Sequence, residues 1–281
     1  MKLYKTKTAI VICHEEKYFP VKSSWDALIN RDNLHAELLT LINGLGDDRE
    51  SAGLIEKELL PPLGSQEVWA AGVTYRRSKD ARMEESKTSG GATFYDKVYE
   101  ADRPELFFKA SAQRVAGHGE TVNIRRDSSW NVPEPELTLF INSRGHIVAY
   151  TIGNDMSSRS IEGENPLYLP QAKTYDRSAS LGPCLWVPPG PIAPDTRITM
   201  EIRRARELLY QDSVQINKMK RSHEELAGYL FRECTFPSGC FLMTGTCLVP
   251  SNDFTLAVAD RVDITIDGIG TLTNTIGQRT L

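Results

Sequence analysis

From Gln66 onward, short apolar or β-branched runs recur at residues 68–73, 106–109, 137–141, 147–152, 185–187, 197–202, 248–249 and 262–266. Each is too short for an ordinary helix, and turn residues such as Asn142-Ser143-Arg144-Gly145 and Pro188-Pro189-Gly190 separate them. Such a chain can close a core only by pairing strands, so this part reads as a β-rich domain. One helix interrupts it: Ser222 is a good N-cap, Glu225 completes a capping box, and Leu226, Tyr229 and Leu230 form an apolar face.

Residues 1–65 have a different texture and read as a small α/β unit, with 66–281 as the main domain. Residues 8–13 suggest a strand, and Ser23 with Asp26 suggests a capping box before Leu28 and Ile29. Asp32-Asn33 offers a second helix start. Leu34, Leu38, Leu39 and Ile42 follow on one face, with Gly44 as the stop. Residues 46–53 read as a loop, and Leu60-Pro61-Pro62-Leu63-Gly64 as the linker.

The chemistry concentrates in Pro133-Glu134-Pro135-Glu136-Leu137. In an extended segment, side chains two apart project to one face, and two carboxylates there repel unless something positive lies between them. A hard, oxygen-seeking cation such as Mg²⁺ is the natural solution. A strand–turn–strand pattern then leads to Asp155, and the hairpin would return it to the two glutamates. The result would be a three-carboxylate site with open positions for a chelating substrate. A Glu-x-Glu pair alone is weak, because surface strands carry such pairs constantly.

Other features exclude whole classes. A net charge of -4 argues against a general nucleic-acid or anionic-membrane binder. Arg203, Arg204 and Arg206 are flanked by Glu201 and Glu207 and read as a solvated face. The five cysteines (Cys13, Cys184, Cys234, Cys240 and Cys247) include no C-x-x-C pair, so reduced thiols are expected. No segment approaches the ~18 apolar residues of a membrane span, and the expected compartment is the cytoplasm.

The ordered blocks carry a resemblance. Pro133-Glu134-Pro135-Glu136-Leu137, Gly153-Asn154-Asp155-Met156-Ser157-Ser158-Arg159, Gln171-Ala172-Lys173-Thr174-Tyr175-Asp176 and Gly182-Pro183 resemble the core of the fumarylacetoacetate hydrolase superfamily. Upstream, Gly72-Val73-Thr74-Tyr75 resembles its Gly-x-Asn-Tyr motif and Phe107-Phe108-Lys109 its Phe-x-Lys; downstream, Thr244-Gly245-Thr246 resembles its Thr-Gly-Thr loop. The resemblance implies an α+β, β-rich fold, a β-roll catalytic domain with a small N-terminal α/β domain. It implies Mg²⁺ or Mn²⁺ on Glu134, Glu136 and Asp155, Lys173 beside the metal, and Lys109 and Thr246 lining the substrate pocket. It also implies a homodimer or homotetramer acting on a small-molecule 2-oxo acid, with no nucleic-acid or membrane partner.

Reactions of the family share one idea: a 2-oxo acid chelates the metal, which stabilises enolate charge. Its hydrolases place a His-Glu pair after the Gly-x-Asn-Tyr motif to activate water. Here those positions fall on Ser78 and Ala81, and no histidine lies between Gly72 and Lys109. Glu84 or Glu85 could replace only one member of the pair. Glu105 stands where hydrolases usually have an apolar residue and is a candidate general acid/base. Ser78, Glu105 and Lys173 together resemble the 2-keto-3-deoxy sugar acid dehydratases, as does the polar stretch from Glu162 to Pro170. The implied reaction is dehydration of a 2-keto-3-deoxy-pentonate to 2,5-dioxopentanoate. Lys173 or Glu105 would take the C3 proton, and Glu105, with Ser78, would protonate the leaving hydroxyl. The long insertion containing Ser89-Gly90-Gly91 reads as a cover over the substrate. The rival readings are an acylpyruvate or diketone hydrolase, a 2-oxo acid decarboxylase or a dienoic acid hydratase of the same fold, and a non-catalytic 2-oxo acid binding protein.

His14, His35, His118, His146 and His223 show no ligand spacing and read as surface or turn residues. Trp69, Trp130 and Trp186 read as packing residues.

Overall fold

The computed structural model describes residues 1–85 and 92–280, without the side chains of 81, 82, 84, 85 and 92–94. The expected cover segment Ser89-Gly90-Gly91 lies outside the described residues.

A ten-stranded mixed sheet dominates. Its path runs from Lys17–Val21 through Ile10–His14, Lys2–Lys5, Ala179–Trp186, Ile147–Asp155, Pro135–Ile141, Cys240–Met243 and Glu67–Gly72 to Glu105–Ala110, with Val115–Ala116 pairing beside Ala179–Trp186. A second sheet of five strands runs Glu207–Gln215, Arg197–Arg204, Arg261–Ile266, Gly270–Gln278 and Thr121–Ile124. The β-rich reading from Gln66 onward is thus met, with helices set around the sheets.

The central strand Pro135–Ile141 is buried along its whole length, so both of its faces must be covered. Its period of two decides which side chain goes where. Leu137, Leu139 and Ile141 point into a core shared with Ile198, Met200, Ile264 and Leu272 of the second sheet. Phe140 points the other way, into a core with Leu28, Leu34 and Leu38 of the N-terminal helices. Glu134, Glu136 and Thr138 share the parity of Phe140 and so lie on the face away from the five-stranded sheet.

The N-terminal strands are continuous with the large sheet, through Leu3 opposite Leu185 and Lys2 opposite Trp186. Several local expectations need adjustment. The helix Trp25–Ile29 starts after Ser24, and no side chain caps it. The Asp26 carboxylate is drawn off to accept hydrogen bonds from Ser65 Oγ (2.6 Å) and Gln66 Nε2 (2.9 Å), where the chain enters the main domain. Residues 46–53 are not all loop, because the helix Ser51–Glu58 begins inside them. Leu248 and Val249 are buried yet form no strand. Asn33 does precede the helix Leu34–Ile42, and Ser222 caps His223–Leu230 by accepting from Glu225 N. The Glu225 carboxylate does not reach back to Ser222; it pairs with Arg221 instead. Arg204 is more than solvated, since its guanidinium grips the fully buried Asp260 at 2.8 Å.

Because Leu3 is fully buried at the seam between the N-terminal strands and the rest of the sheet, Leu3→Ala should cost about 2–5 kcal/mol. Denaturant titration should show that loss as one cooperative transition of the whole chain, not as selective melting of residues 1–65.

Candidate active site

The expected hairpin exists. Pro135–Ile141 and Ile147–Asp155 pair antiparallel, with Glu136 opposite Gly153. Asp155 N donates to Glu134 O at 2.9 Å. Glu134, Glu136 and Asp155 are all buried, and one carboxylate oxygen from each lies within 4.8 Å of the others.

Three buried carboxylates at that range are tolerable only with positive charge among them. Lys173, at the end of the helix Leu169–Lys173, supplies part of it. Its Nζ donates to Glu134 Oε2 (2.6 Å), Asp155 Oδ2 (3.0 Å) and Ser157 Oγ (2.6 Å). Arg159 Nη2 donates to Glu134 Oε1 at 3.1 Å, and its guanidinium stands over the Trp130 ring. Lys109 Nζ forms an ion pair with Asp155 Oδ1 at 2.5 Å and donates to the carbonyls of Met156 (2.9 Å) and Lys173 (2.5 Å). Burial is the main reason its ammonium is pulled down to about 8, with the Asp155 charge opposing that shift.

Among the described residues, no cation hydrogen-bonds Glu136 directly. Gly245 N donates to its Oε2 at 2.6 Å. Burial first, and the Asp155 and Glu134 charges second, push its carboxyl well above the usual carboxylate range. An all-oxygen donor set with one member that resists ionisation is what a small divalent cation relieves. Glu134, Glu136 and Asp155 therefore fit Mg²⁺.

Backbone geometry supports this arrangement. Gly245 has φ +95°, and a Cβ there would come within 2.0 Å of Thr74 Oγ1. Only glycine brings that N–H to Glu136. Across the contact, Thr74 Oγ1 donates to Thr244 O at 2.7 Å. Next to it Val73 holds φ +54°, a left-handed conformation that costs a β-branched residue on the order of 1–3 kcal/mol.

One pocket gathers Lys173, the three carboxylates, Ser78, Thr246, Arg159 and Phe107 on its wall. Ser78 sits in the first turn of the helix Arg76–Glu85, where its hydroxyl donates to Tyr75 O (2.7 Å) and accepts from Tyr75 N (3.2 Å). Thr246 Oγ1 accepts from Leu248 N at 3.3 Å. Glu105 opens the strand Glu105–Ala110 opposite Gly72 and is half-buried; its carboxylate lies so close over the Gly72 Cα that any Cβ there would collide with it. Neither Glu105 nor Lys109 is among the described lining residues: Glu105 lies against Gly72, which does line the pocket, and Lys109 is fully buried beneath the carboxylates, where it holds Asp155. The Glu84 and Glu85 side chains lie outside the described residues. Arg159 and Ser157 had no role in the sequence reading. The signal lay in their place in the block Gly153-Asn154-Asp155-Met156-Ser157-Ser158-Arg159, directly after Asp155.

The model of the fumarylacetoacetate (FAA) hydrolase C-terminal domain matches residues 67–277. The chain belongs to the fumarylacetoacetate hydrolase family. Within the family, it is 47% identical over 246 residues to a probable 2-keto-3-deoxyxylonate dehydratase of Haloferax volcanii, covering 87% of this chain and 82% of that one. It is 43% identical over 222 residues to a 2-dehydro-3-deoxy-D-arabinonate dehydratase of Saccharolobus solfataricus, covering 78% and 74%. A solved structure of 2-keto-3-deoxy-D-arabinonate dehydratase complexed with magnesium and 2,5-dioxopentanoate superposes with a TM-score of 0.85 at 33% identity, covering 100% of both chains. The fumarylacetoacetate hydrolase fold expected from the sequence is therefore the fold observed.

Metal binding to this family member should be visible without turnover. Saturation with Mg²⁺ at about 100 times its Kd should add about 2.7 kcal/mol, read as a rise in Tm. Glu136→Gln should remove most of that rise. The sign of the pH dependence follows from the raised Glu136 carboxyl. In the metal-free protein its protonated form is stabilising at low pH, and that contribution is lost as pH rises through the folded value. The cation competes with this proton, so the Mg²⁺-induced rise should be larger at pH 7.5 than at pH 5.5.

Proposed function

We propose that this chain is a Mg²⁺-dependent hydro-lyase that removes water from a five-carbon 2-keto-3-deoxy sugar acid and yields 2,5-dioxopentanoate. The observation that carries this reading is Lys173 Nζ, 2.6 and 3.0 Å from two carboxylates of the metal triad, on a residue that lines the same pocket. It is an amine placed where it can take a proton from a carbon next to a 2-oxo group. The two dehydratases with 47% and 43% identity support the choice of reaction. So does Ser78, which occupies the pocket wall where a hydrolase would need its histidine. Among the described residues, no histidine lines the pocket.

When bound to Glu134, Glu136 and Asp155, Mg²⁺ supplies Lewis acidity to a 2-oxo acid chelated through its carboxylate and 2-oxo oxygen. The chain's own residues do the rest. Lys173 takes one C3 proton, and for this its amine must be neutral. Glu105 delivers a proton to the C4 hydroxyl, which leaves as water. Ser78 holds the turn at Tyr75 and faces the departing group. Proton shifts from C5 to C3 and from the C5 enol to C4 then produce the aldehyde with no further reagent. Thr246 borders the substrate and Lys109 fixes Asp155. Arg159 orients Glu134.

In this reading residues 1–65 are the supporting unit and 66–281 the catalytic one. The enzyme works in the cytoplasm as a homodimer or homotetramer. Free thiols at all five cysteines support a reducing compartment. Among the described residues, no helix is long and apolar enough to cross a membrane.

A Mg²⁺-dependent assay on 2-keto-3-deoxy-arabinonate, coupled to an aldehyde dehydrogenase, tests the assignment, with acetylpyruvate in a parallel reaction. Product should form from the sugar acid alone. Lys173→Ala should lower kcat about 10²–10⁴-fold while keeping the fold. Cleavage of acetylpyruvate without dehydration would replace this reading by a carbon–carbon hydrolase.

A further inference from the structure

The helix Arg76–Glu85 brings Ser78 to the pocket wall and packs against the helix Ala92–Glu100, and the chain leaves the strand Glu67–Gly72 through Thr74 and Tyr75 to reach them. It returns through Val98–Asp102 to Glu105. Both ends of this excursion meet one short segment, Met219-Lys220-Arg221, which precedes the helix His223–Leu230. At the outgoing end, Met219 bridges Tyr75 and Lys220 N donates to Thr74 O at 2.9 Å. At the returning end, the Arg221 guanidinium donates to Val98 O (3.2 Å), Ala101 O (2.5 Å) and Asp102 O (2.9 Å). Glu225 orients that guanidinium through a 2.6 Å ion pair. Lys220 Nζ reaches Glu100 Oε2 at 3.0 Å and lies over the Tyr99 ring.

The chemistry of this contact is specific. The last carbonyls of a helix have no partner within it and carry the negative end of its dipole. A guanidinium with several donors in a fixed plane satisfies one such carbonyl, Val98 O, together with Ala101 O and Asp102 O just beyond the helix end, which an ammonium cannot do in that geometry. Arg221 is only 7% exposed, so the charge is committed to this contact and not to solvent.

What lies at the two ends gives the contact its meaning. Tyr75 holds Ser78 by two hydrogen bonds, and Thr74 supports the strained turn at Val73. Asp102 is separated from Glu105 by Arg103 and Pro104 alone. Ser78 and Glu105 are the two groups of the proposed mechanism that do not sit on the metal platform. We propose that Arg221 is a positioning residue for catalysis: it clamps the returning end of the helical excursion to the segment that already holds the outgoing end, and thereby fixes Glu105 relative to Lys173. The role assigned to Glu105 rests on the dehydratase reading; the clamp itself does not.

The test compares Arg221→Ala, Arg221→Lys and Glu225→Gln with the unmutated full-length, Mg²⁺-loaded protein. Three quantities are read: amide hydrogen exchange, the Mg²⁺-induced rise in Tm, and kcat and KM on 2-keto-3-deoxy-arabinonate. In Arg221→Ala, exchange should quicken over residues 95–105 and stay unchanged in Pro135–Ile141 and Ile147–Asp155. The Mg²⁺-induced rise should be retained, because the triad is untouched. A displacement of about 1 Å at an acid/base group costs up to about 10²-fold, so kcat should fall about 10- to 100-fold with KM changed less than about 3-fold. Arg221→Lys should fall between, and Glu225→Gln should show a milder form of the same pattern if Arg221→Ala does not fold. Unchanged exchange over 95–105, or a kcat that survives the loosening, overturns the proposal. Failure of the dehydratase reading would look different: the unmutated protein would be inactive on the sugar acid, and the exchange data would still decide whether Arg221 clamps the excursion.

Discussion

Everything at this site follows from three carboxylates buried within one metal's reach of each other. The chain meets the resulting repulsion with charges that arrive from separate places: Lys173 from a short helix, Lys109 from the far strand of the sheet, and Arg159 from the segment beyond Asp155. Among the described residues Glu136 accepts its hydrogen bond from the Gly245 amide, and burial, with the Asp155 and Glu134 charges, makes its carboxyl reluctant to ionise. A site balanced in this way holds together before the metal arrives, yet retains one ligand whose charge is fully favourable only with the cation present.

The sheet is what makes that balance geometrically achievable. Glu134 and Glu136 share a face because a strand alternates, and Asp155 joins them because the hairpin register puts it beside Glu134. Both faces of this hairpin are covered, one by the five-stranded sheet and the other by the N-terminal helices and the pocket residues. The carboxylates are therefore buried, and electrostatic contacts there are stronger than on a surface. The unusual backbone at Val73 and Gly245 belongs to the same solution, since both residues sit where two sheet strands end and their loops must interlock above the metal ligands.

Much of this could be read from the residues, for a physical reason. Strand alternation and hairpin return are local rules, so the shared face of the three carboxylates was legible from Pro133-Glu134-Pro135-Glu136-Leu137 and Asp155, while their reading as metal ligands drew on the family resemblance. The Ser222 cap was legible because capping involves residues three apart. Readings that compete with distant partners fared less well. Asp26 was expected to cap a helix but is claimed by Ser65 and Gln66, 39 and 40 positions away. Leu248 and Val249 look like strand yet are buried without pairing, and the strand Gly270–Gln278 is not obvious from its many small and polar residues.

The sequence by itself pointed to the fold family, because several motif blocks recur in the family's order, and through that resemblance it offered Glu134, Glu136 and Asp155 as candidate metal ligands and Lys173, Glu105 and Ser78 as candidate proton-moving groups. Only the tertiary structure decided how those groups are used. It placed Lys109 beneath Asp155 and off the pocket wall, brought Arg159 onto Glu134, committed the Ser78 hydroxyl to Tyr75, and made Arg221 the point where both ends of the helical excursion are tied. Except for the Ser78–Tyr75 turn, these are contacts between residues 25 to more than 100 positions apart, and their partners are selected by packing and burial, which no local pattern encodes.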